Sequence, residues 1–195
     1  MATRKIGIIG KGNVGGALTR GLQGAGYEVR SVGSDKTAVR ETAAWGEIVI
    51  IAVPFGAVGD VVQTAGEALA GKTVVDVTNA LDPNMNLAVG FTTSGAEELQ
   101  KKLPDSHVVK AFNTVFAQHM DSGKLRDQPL TAFIAGDDAD ARKTVLGIAR
   151  GIGFDAVDAG PLVNARQIES LGFFNIQLGY VLGMGPQIGF KLLHA

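Results

Sequence analysis

The sequence of 195 residues contains no cysteine, which excludes disulfides, thiol catalysis and thiolate metal sites. Neither sign of charge dominates, and the net charge of −1 favours neither nucleic acid nor an anionic membrane surface as a partner. No apolar run is long enough to cross a membrane, since residues 172–185 are too few and are broken by glycines. His107, His119 and His194 form no pair at metal-ligand spacing, and no G-x-S-x-G elbow is present, so neither a metal site nor a hydrolytic nucleophile is predicted.

What the chain does have is 46% hydrophobic residues, enough for the core of one domain with or without an appendage. The first predicted strand begins within a few residues of Met1, which leaves no room for a signal peptide. We therefore expect a cytoplasmic protein.

A glycine-rich turn follows that first strand and leads into a helix. Gly10 allows a sharp turn, Gly12 allows the backbone to approach a pyrophosphate, and Gly15 allows the helix to pack closely on the strand. The helix beginning near Asn13 directs free N–H groups and the positive end of its dipole toward the phosphates. The motif therefore predicts a dinucleotide site over residues 10–15, including Lys11 and Val14; the alternative is a merely tight strand-to-helix turn.

Strands and helices alternate regularly along the chain with short connections. This pattern predicts an α/β fold of the Rossmann type, a doubly wound and mostly parallel sheet, over residues 1–160. Strands are predicted at about 5–9, 27–32, 47–53, 73–78, 107–111, 130–135 and 154–157. Helices are predicted at about 13–23, 58–69, 94–103 and 137–150, with Ser94 and Asp137 or Asp138 as caps.

The corner after the second strand is short. Only about fourteen residues separate Lys36 from Ile50, where a complete unit has a helix and a further strand. We expect a shortened or missing crossover helix and strand there, with Trp45 packing the corner.

Residues 161–195 are too few for a substrate domain and are predicted to form a C-terminal helical extension, interrupted at 183–186. An apolar stripe at helical spacing indicates either a core-covering helix or a subunit interface that also completes a pocket, and we expect a homodimer. Its members are Ile168, Leu171, Phe174, Leu178 and Leu182. Arg166 and Glu169 are expected to pair locally on this helix, and Glu97 and Glu98 to form a solvated helix face.

Ligands of doubly wound sheets lie beyond the carboxyl ends of the strands. The residues there offer apolar walls and neutral hydrogen-bonding groups but no acid–base pair, which favours hydride exchange between two stacked rings over alcohol oxidation. Beyond the glycine turn, the candidates are Ser34, Asp35, Lys36, Val53, Pro54, Phe55, Asn79, Ala111, Asn113 and Thr114.

Three stretches resemble one family: residues 10–15, residues 108–114, and residues 158–162 with 165–169. The chain resembles the deazaflavin (coenzyme F-420)-dependent NADP oxidoreductases, and residues 108–114 are also similar to the reductase domain of membrane metalloreductases. The resemblance implies NADP(H) along the strand ends, with a deazaflavin against the nicotinamide in a pocket completed by the C-terminal segment. Met184 is a candidate for the acceptor side.

The resemblance breaks down after the second strand. The family pattern is serine followed by arginine, whereas here Ser34 is followed by Asp35 and then Lys36. An aspartate repels a 2′-phosphate and favours NAD, but Ser34, Lys36 and Lys11 can bind that phosphate if Asp35 turns away. We expect NADP(H) rather than NAD(H).

These inferences predict an NADP(H)-dependent oxidoreductase without covalent catalysis. Its small-molecule partner is expected to be a flat redox group: a deazaflavin, a flavin, or a ferric or quinone acceptor. The alternative is a non-catalytic dinucleotide-binding redox sensor.

Overall fold

The computed structural model describes residues 4–193, which form a three-layer α/β structure. The central sheet has seven strands in the order β2-β1-β3-β4-β5-β8-β9, and β6 pairs with β7 in a separate hairpin. The strands are β1 (Lys5–Ile9), β2 (Glu28–Val32), β3 (Ile48–Ile51), β4 (Thr73–Asp76), β5 (His107–Lys110), β6 (Lys124–Leu125), β7 (Gln128–Pro129), β8 (Thr131–Gly136) and β9 (Asp155–Asp158). The helices are α1 (Asn13–Gly24), α2 (Lys36–Trp45), α3 (Val58–Leu69), α4 (Gly95–Lys102), α5 (Ala139–Ile152) and α6 (Ala165–Ile176).

The sheet confirms the predicted Rossmann-type architecture. Strands β2, β1, β3, β4 and β5 run parallel, β8 is antiparallel to β5, and β9 is parallel to β8. The central strands are continuously apolar because both faces are covered. Helices α1 and α5 pack on one face, around Leu18 and Val145, whereas α2, α3 and α4 pack on the other, around Val39, Val61 and Leu99.

The corner after β2 is shortened by a strand and keeps its helix. Asp35 begins α2 by accepting a hydrogen bond from the Ala38 amide at 2.8 Å. Helix α2 then leads directly to β3, so β2 is the edge of the sheet. At the other end of α2, the Arg30 guanidinium lies 4.2 Å from the centre of the Trp45 ring, and Trp45 packs this corner as expected.

The C-terminal segment differs from the prediction. Helix α6 ends at Ile176, a π-helical turn spans Gln177–Val181, and residues 182–193 contain no helix, so the helix predicted beyond residue 186 is wrong. The chain instead runs beside β8, where the Phe190 carbonyl accepts a hydrogen bond from the Thr131 amide at 3.0 Å. His194 lies outside the described residues.

The expected apolar stripe of this segment is not one buried face. Ile168 is buried, but Phe174 is 51% exposed and Leu182 is 67% exposed. Regular helical spacing stops with α6, so a period of 3.6 residues no longer describes residues 177–182.

Both cap predictions hold, since Ser94 accepts from the Glu97 amide and Asp138 accepts from the Ala141 amide. The predicted local Arg166–Glu169 pair is wrong. Arg166 forms a bidentate ion pair with Glu97 of α4, at 2.7 and 2.9 Å, so Glu97 is not a merely solvated helix residue. Glu169 points into the protein.

No helix among residues 4–193 is both long and apolar enough to cross a membrane.

Candidate functional site

The turn between β1 and α1 needs its glycines for different reasons. Gly10 has φ +120°, and a Cβ atom there would overlap the Ala52 carbonyl. A Cβ at Gly15 would overlap the Gly10 carbonyl oxygen. Gly12, by contrast, has no neighbouring atom within 4 Å of an added Cβ, so the fold itself does not require a glycine there.

Gly12 is the N-cap of α1, and no side chain caps this helix. No side chain therefore accepts a hydrogen bond from the first amides of α1, and the space beside Gly12 is open. Helix N-termini of this kind bind phosphate through their amides and their dipole. The turn fits a diphosphate.

Two cavities flank the turn and share Lys11 and Gly12 in their walls. The smaller has a volume of about 360 Å³ and lies between the ends of β1, β2 and β3. The larger has a volume of about 700 Å³ and lies between the ends of β4 and β5, α1 and α6. A ligand that crosses the turn can therefore occupy both.

The smaller cavity brings together many of the predicted residues on the side of β2. Ser34 and Lys36 line it on one side, and Val53 and Pro54 on the other. Asp35 does not line it, because its carboxylate caps α2.

The larger cavity has a polar floor and an aromatic wall. Asn13, Val14, Asn79 and Asn113 line it as predicted. Sequence reasoning missed several of its other lining residues, among which are Arg20, Phe116, Asn175 and Tyr180. The rings of Phe116 and Tyr180 pack edge to face with centroids 5.2 Å apart. The charged lining residues are Lys11 and Arg20, and no carboxylate or histidine of the described residues lines the cavity.

The side-chain amides of the floor are fixed by hydrogen bonds. Asn113 Nδ2 donates to Asn79 Oδ1 and to the Ile168 carbonyl, both at 3.2 Å, and Asn175 Nδ2 donates to the Thr114 carbonyl at 3.1 Å. The Oδ1 atoms of Asn113 and Asn175 are buried and accept no hydrogen bond within the described protein. Buried acceptors normally have a partner, so these two oxygens are exceptions within the site.

Besides Asp35, three predicted residues line neither cavity. Ala111 and Thr114 are buried, and Phe55 packs against Gly95 at the start of α4. Met184 also lines neither cavity; it is 58% exposed beyond the π-helical turn.

Sequence reasoning also missed a buried cluster of charges beneath the larger cavity. Lys110 is fully buried, and its Nζ lies 3.0 Å from both Asp76 Oδ2 and Glu169 Oε1. Burial alone lowers the pKa of Lys110, but the two carboxylates outweigh it and raise that pKa above its ordinary value. Lys110 is therefore charged. The available signal was a lysine and an aspartate ending two neighbouring apolar strands.

Known proteins are similar to this chain in both sequence and fold. Residues 5–80 match the family model described as NADP oxidoreductase coenzyme F420-dependent. The F420-dependent NADP reductase of Methanocaldococcus jannaschii is 30% identical over 159 residues, which cover 77% of this chain and 68% of that protein. A candidate F420-dependent NADP-reductase from Arthrobacter sp. FB24, known from a crystal structure, superposes with a TM-score of 0.89 at 28% identity, covering 98% of this chain and 100% of that one.

Metalloreductase STEAP3 of Rattus norvegicus is 32% identical over 180 residues, which cover 86% of this chain. The chain spans only 36% of the length of that relative.

The fold and the relatives together place the chain in the class of Rossmann-type proteins to which NADP-dependent oxidoreductases belong. More particularly, the chain belongs to the family of F420-dependent NADP oxidoreductases.

Proposed function

We propose that this protein binds NADP(H) across the phosphate turn and transfers hydride between the nicotinamide and a second flat redox ring. The observation that carries the proposal is the larger cavity, which adjoins the turn and is lined by amides and aromatic rings, with Lys11 and Arg20 as its charged residues and, among residues 4–193, no carboxylate or histidine. Alcohol oxidation normally uses a proton acceptor. Hydride exchange between two rings instead depends on their proximity and alignment.

In this proposal the adenosine half lies in the smaller cavity. Ser34, Lys36 and Lys11 bind the 2′-phosphate, which favours NADP(H) over NAD(H). Asp35 does not block the phosphate, because its carboxylate accepts a hydrogen bond from the Ala38 amide and does not line the cavity, but its negative charge still weakens the preference. The apolar surface of Val53 and Pro54 packs against the nucleoside.

The nicotinamide half lies over the amide floor of the larger cavity. The side-chain amides of Asn79 and Asn113, which line this cavity, can form hydrogen bonds with its carboxamide. The second ring occupies the remaining space beside Phe116 and Tyr180, where an aromatic wall favours a flat partner.

A deazaflavin is the first candidate for the second ring, in keeping with the F420-dependent relatives. A flavin or a quinone fits the same aromatic wall, and the metalloreductase relatives make a ferric complex, reduced through such a carrier, a further candidate.

The direct test is to follow the loss of NADPH absorbance with purified protein and one acceptor at a time: coenzyme F-420, FMN, menadione and ferric citrate. We expect turnover with F-420 or FMN, and a higher kcat/KM for NADPH than for NADH. Tight binding of NADPH without turnover of any acceptor would contradict the proposal and support the non-catalytic redox sensor instead.

We also propose that the protein is a homodimer. Beyond α6, Val181, Leu182 and Met184 are each more than half exposed, and Phe174 and Tyr180 extend the same apolar segment. Monomeric proteins seldom expose such patches without a partner. Light scattering on the purified protein tests this, with a dimer expected for the wild type and a monomer for Leu182→Glu.

A further inference from the structure

One carboxylate joins the C-terminal helix to the ends of the strands. Glu169 of α6 is 3% exposed, and its two oxygens accept hydrogen bonds from the Gly95 and Ala96 amides at 2.8 and 3.1 Å. Its Oε1 also lies 3.0 Å from Lys110 Nζ. Glu169 is thereby tied both to the start of α4 and to the end of β5.

Lys110 extends the connection to the next strand. Its Nζ donates to Asp76 Oδ2 at the end of β4 and to the Thr78 carbonyl just beyond it. Asn79 and Asn113, the amides of the cavity floor, follow Thr78 and Lys110 closely in the chain. The buried charges therefore fix the backbone from which Asn79 and Asn113 extend into the cavity floor.

Glu169 also precedes the part of α6 that forms the cavity wall. Residue 172 is one helical turn further on and lies on the same face of the helix. An added Cβ at Gly172 would lie 2.6 Å from both Asn79 Oδ1 and Asn113 Nδ2. The backbone of α6 thus approaches the amide floor so closely that a small displacement of the helix changes the cavity.

We infer that Glu169 is a positioning residue for hydride transfer: through Lys110 it fixes the distance between the strand-end amides and the α6 wall of the larger cavity. The inference rests on the proposed function, since it assumes that the two reacting rings lie between those surfaces. Hydrogen bonds from three fixed donors hold the carboxylate in one place, whereas apolar packing alone leaves a helix some freedom to slide. Displacements of about 1 Å at a reacting centre can cost about 100-fold in rate.

A matched control exists on the same pair of helices. Arg166 of α6 forms its ion pair with Glu97 of α4, but both side chains are partly exposed and neither lines the larger cavity. Loss of this pair weakens the contact between α6 and α4 without disturbing the charges beneath the cavity floor. If Glu169 had only a structural role, substitutions of Glu169 and of Arg166 would differ in their effect on stability but not in their effect on turnover.

The experiment compares full-length Glu169→Gln, Glu169→Asp and Arg166→Gln with the wild type. For each protein, Tm, the Kd for NADPH, kcat, KM for the acceptor and the deuterium isotope effect with 4-deuterated NADPH are measured, using whichever of F-420 or FMN the wild type reduces. Glu169→Asp keeps the buried negative charge, so it remains informative if Glu169→Gln does not fold, yet its shorter side chain cannot reach Lys110 and both amides.

We expect both Glu169 variants to lower kcat at least about tenfold and to raise the isotope effect, because the misaligned hydride step becomes rate-limiting. Their Kd for NADPH and the kinetics of Arg166→Gln are expected to stay at wild-type values. Variants of Glu169 with a lower Tm but unchanged kcat and isotope effect would overturn the inference. Absence of turnover in the wild type would instead overturn the proposed function, and this inference with it.

Discussion

The two cavities beside the phosphate turn are built in opposite ways. The smaller one presents exposed side chains, among them Ser34 on the loop after β2 and Lys36 at the start of α2. The larger one rests on buried amides and, beneath them, on the ion pairs of Lys110. This difference suggests that the first side reads the charge of the nucleotide, whereas the second holds reacting groups at fixed positions. Substitutions should therefore change cofactor preference on one side, and stability and turnover on the other.

The largest effect is expected from Lys110→Met. This change leaves Asp76 and Glu169 buried without their cation, and removal of one partner of a buried ion pair typically costs about 3–5 kcal/mol. Urea unfolding should show this loss. Lys101→Met is the control, because Lys101 is exposed and pairs with Glu98 at the surface. Equal stability of the two variants would contradict the claim that buried ion pairs support the larger cavity.

A smaller and more selective effect is expected from Lys36→Ala in the smaller cavity. Loss of one charge-assisted hydrogen bond to the 2′-phosphate should weaken NADPH binding about tenfold. NADH binding and Tm should not change, since the Lys36 side chain makes no hydrogen bond or ion pair within the described residues. Calorimetric titration with both nucleotides measures this, and an equal loss for NADH would place the 2′-phosphate elsewhere.

Substitutions of Asp35 can separate two roles of its side chain: the negative charge that it places in this corner and its cap on α2. Asp35→Asn keeps a good N-cap while removing the negative charge, so the preference for NADPH over NADH should rise severalfold at unchanged Tm. Asp35→Ala also loses the cap, which costs about 1 kcal/mol. Asp35→Arg adds a guanidinium and should shift the preference furthest. If none of these variants changes the nucleotide preference, the adenosine ribose does not bind at this corner.

The smallest effect concerns the ion pair that joins α6 to α4. The hydrogen bond from Arg166 holds the pKa of Glu97 below its ordinary value. A carboxylate with a lowered folded-state pKa stabilises the protein above its unfolded pKa, and this stability is lost as the pH falls through the folded pKa. The Tm of Arg166→Gln should thus be slightly lower than that of the wild type at neutral pH. The difference should shrink as the pH falls below about 4.3, the unfolded pKa, and should vanish only below the lowered pKa of Glu97. A constant difference across that range would contradict this assignment.

Local patterns predicted most of the fold correctly. The glycine turn, the capped starts of α4 and α5 and the buried strands β1 and β3 each depend on residues adjacent in sequence. The missing strand was also predicted, because chain length alone limits what fits between Lys36 and Ile50.

The errors concern contacts between distant residues. Arg166 and Glu169 have the spacing of a local helix pair, but their partners come from α4 and β5, far away in the chain. Leu178 and Leu182 continue the helical spacing of the apolar stripe in the sequence, but the α-helix ends at Ile176. The tail instead follows the start of β8, which pairs with β5 only at Ala135 and Gly136, so this contact depends on how the sheet assembles.

Gly12→Val tests the central claim, that the amides of the turn bind the diphosphate, most directly. The fold leaves open space at this position, so Tm should stay at the wild-type value, as in the control Gly24→Val on the same helix. We predict that calorimetric titration detects NADPH binding to the wild type and to Gly24→Val but none to Gly12→Val, because the new side chain occupies the place of the phosphates. Normal NADPH affinity in a folded Gly12→Val protein would contradict the account.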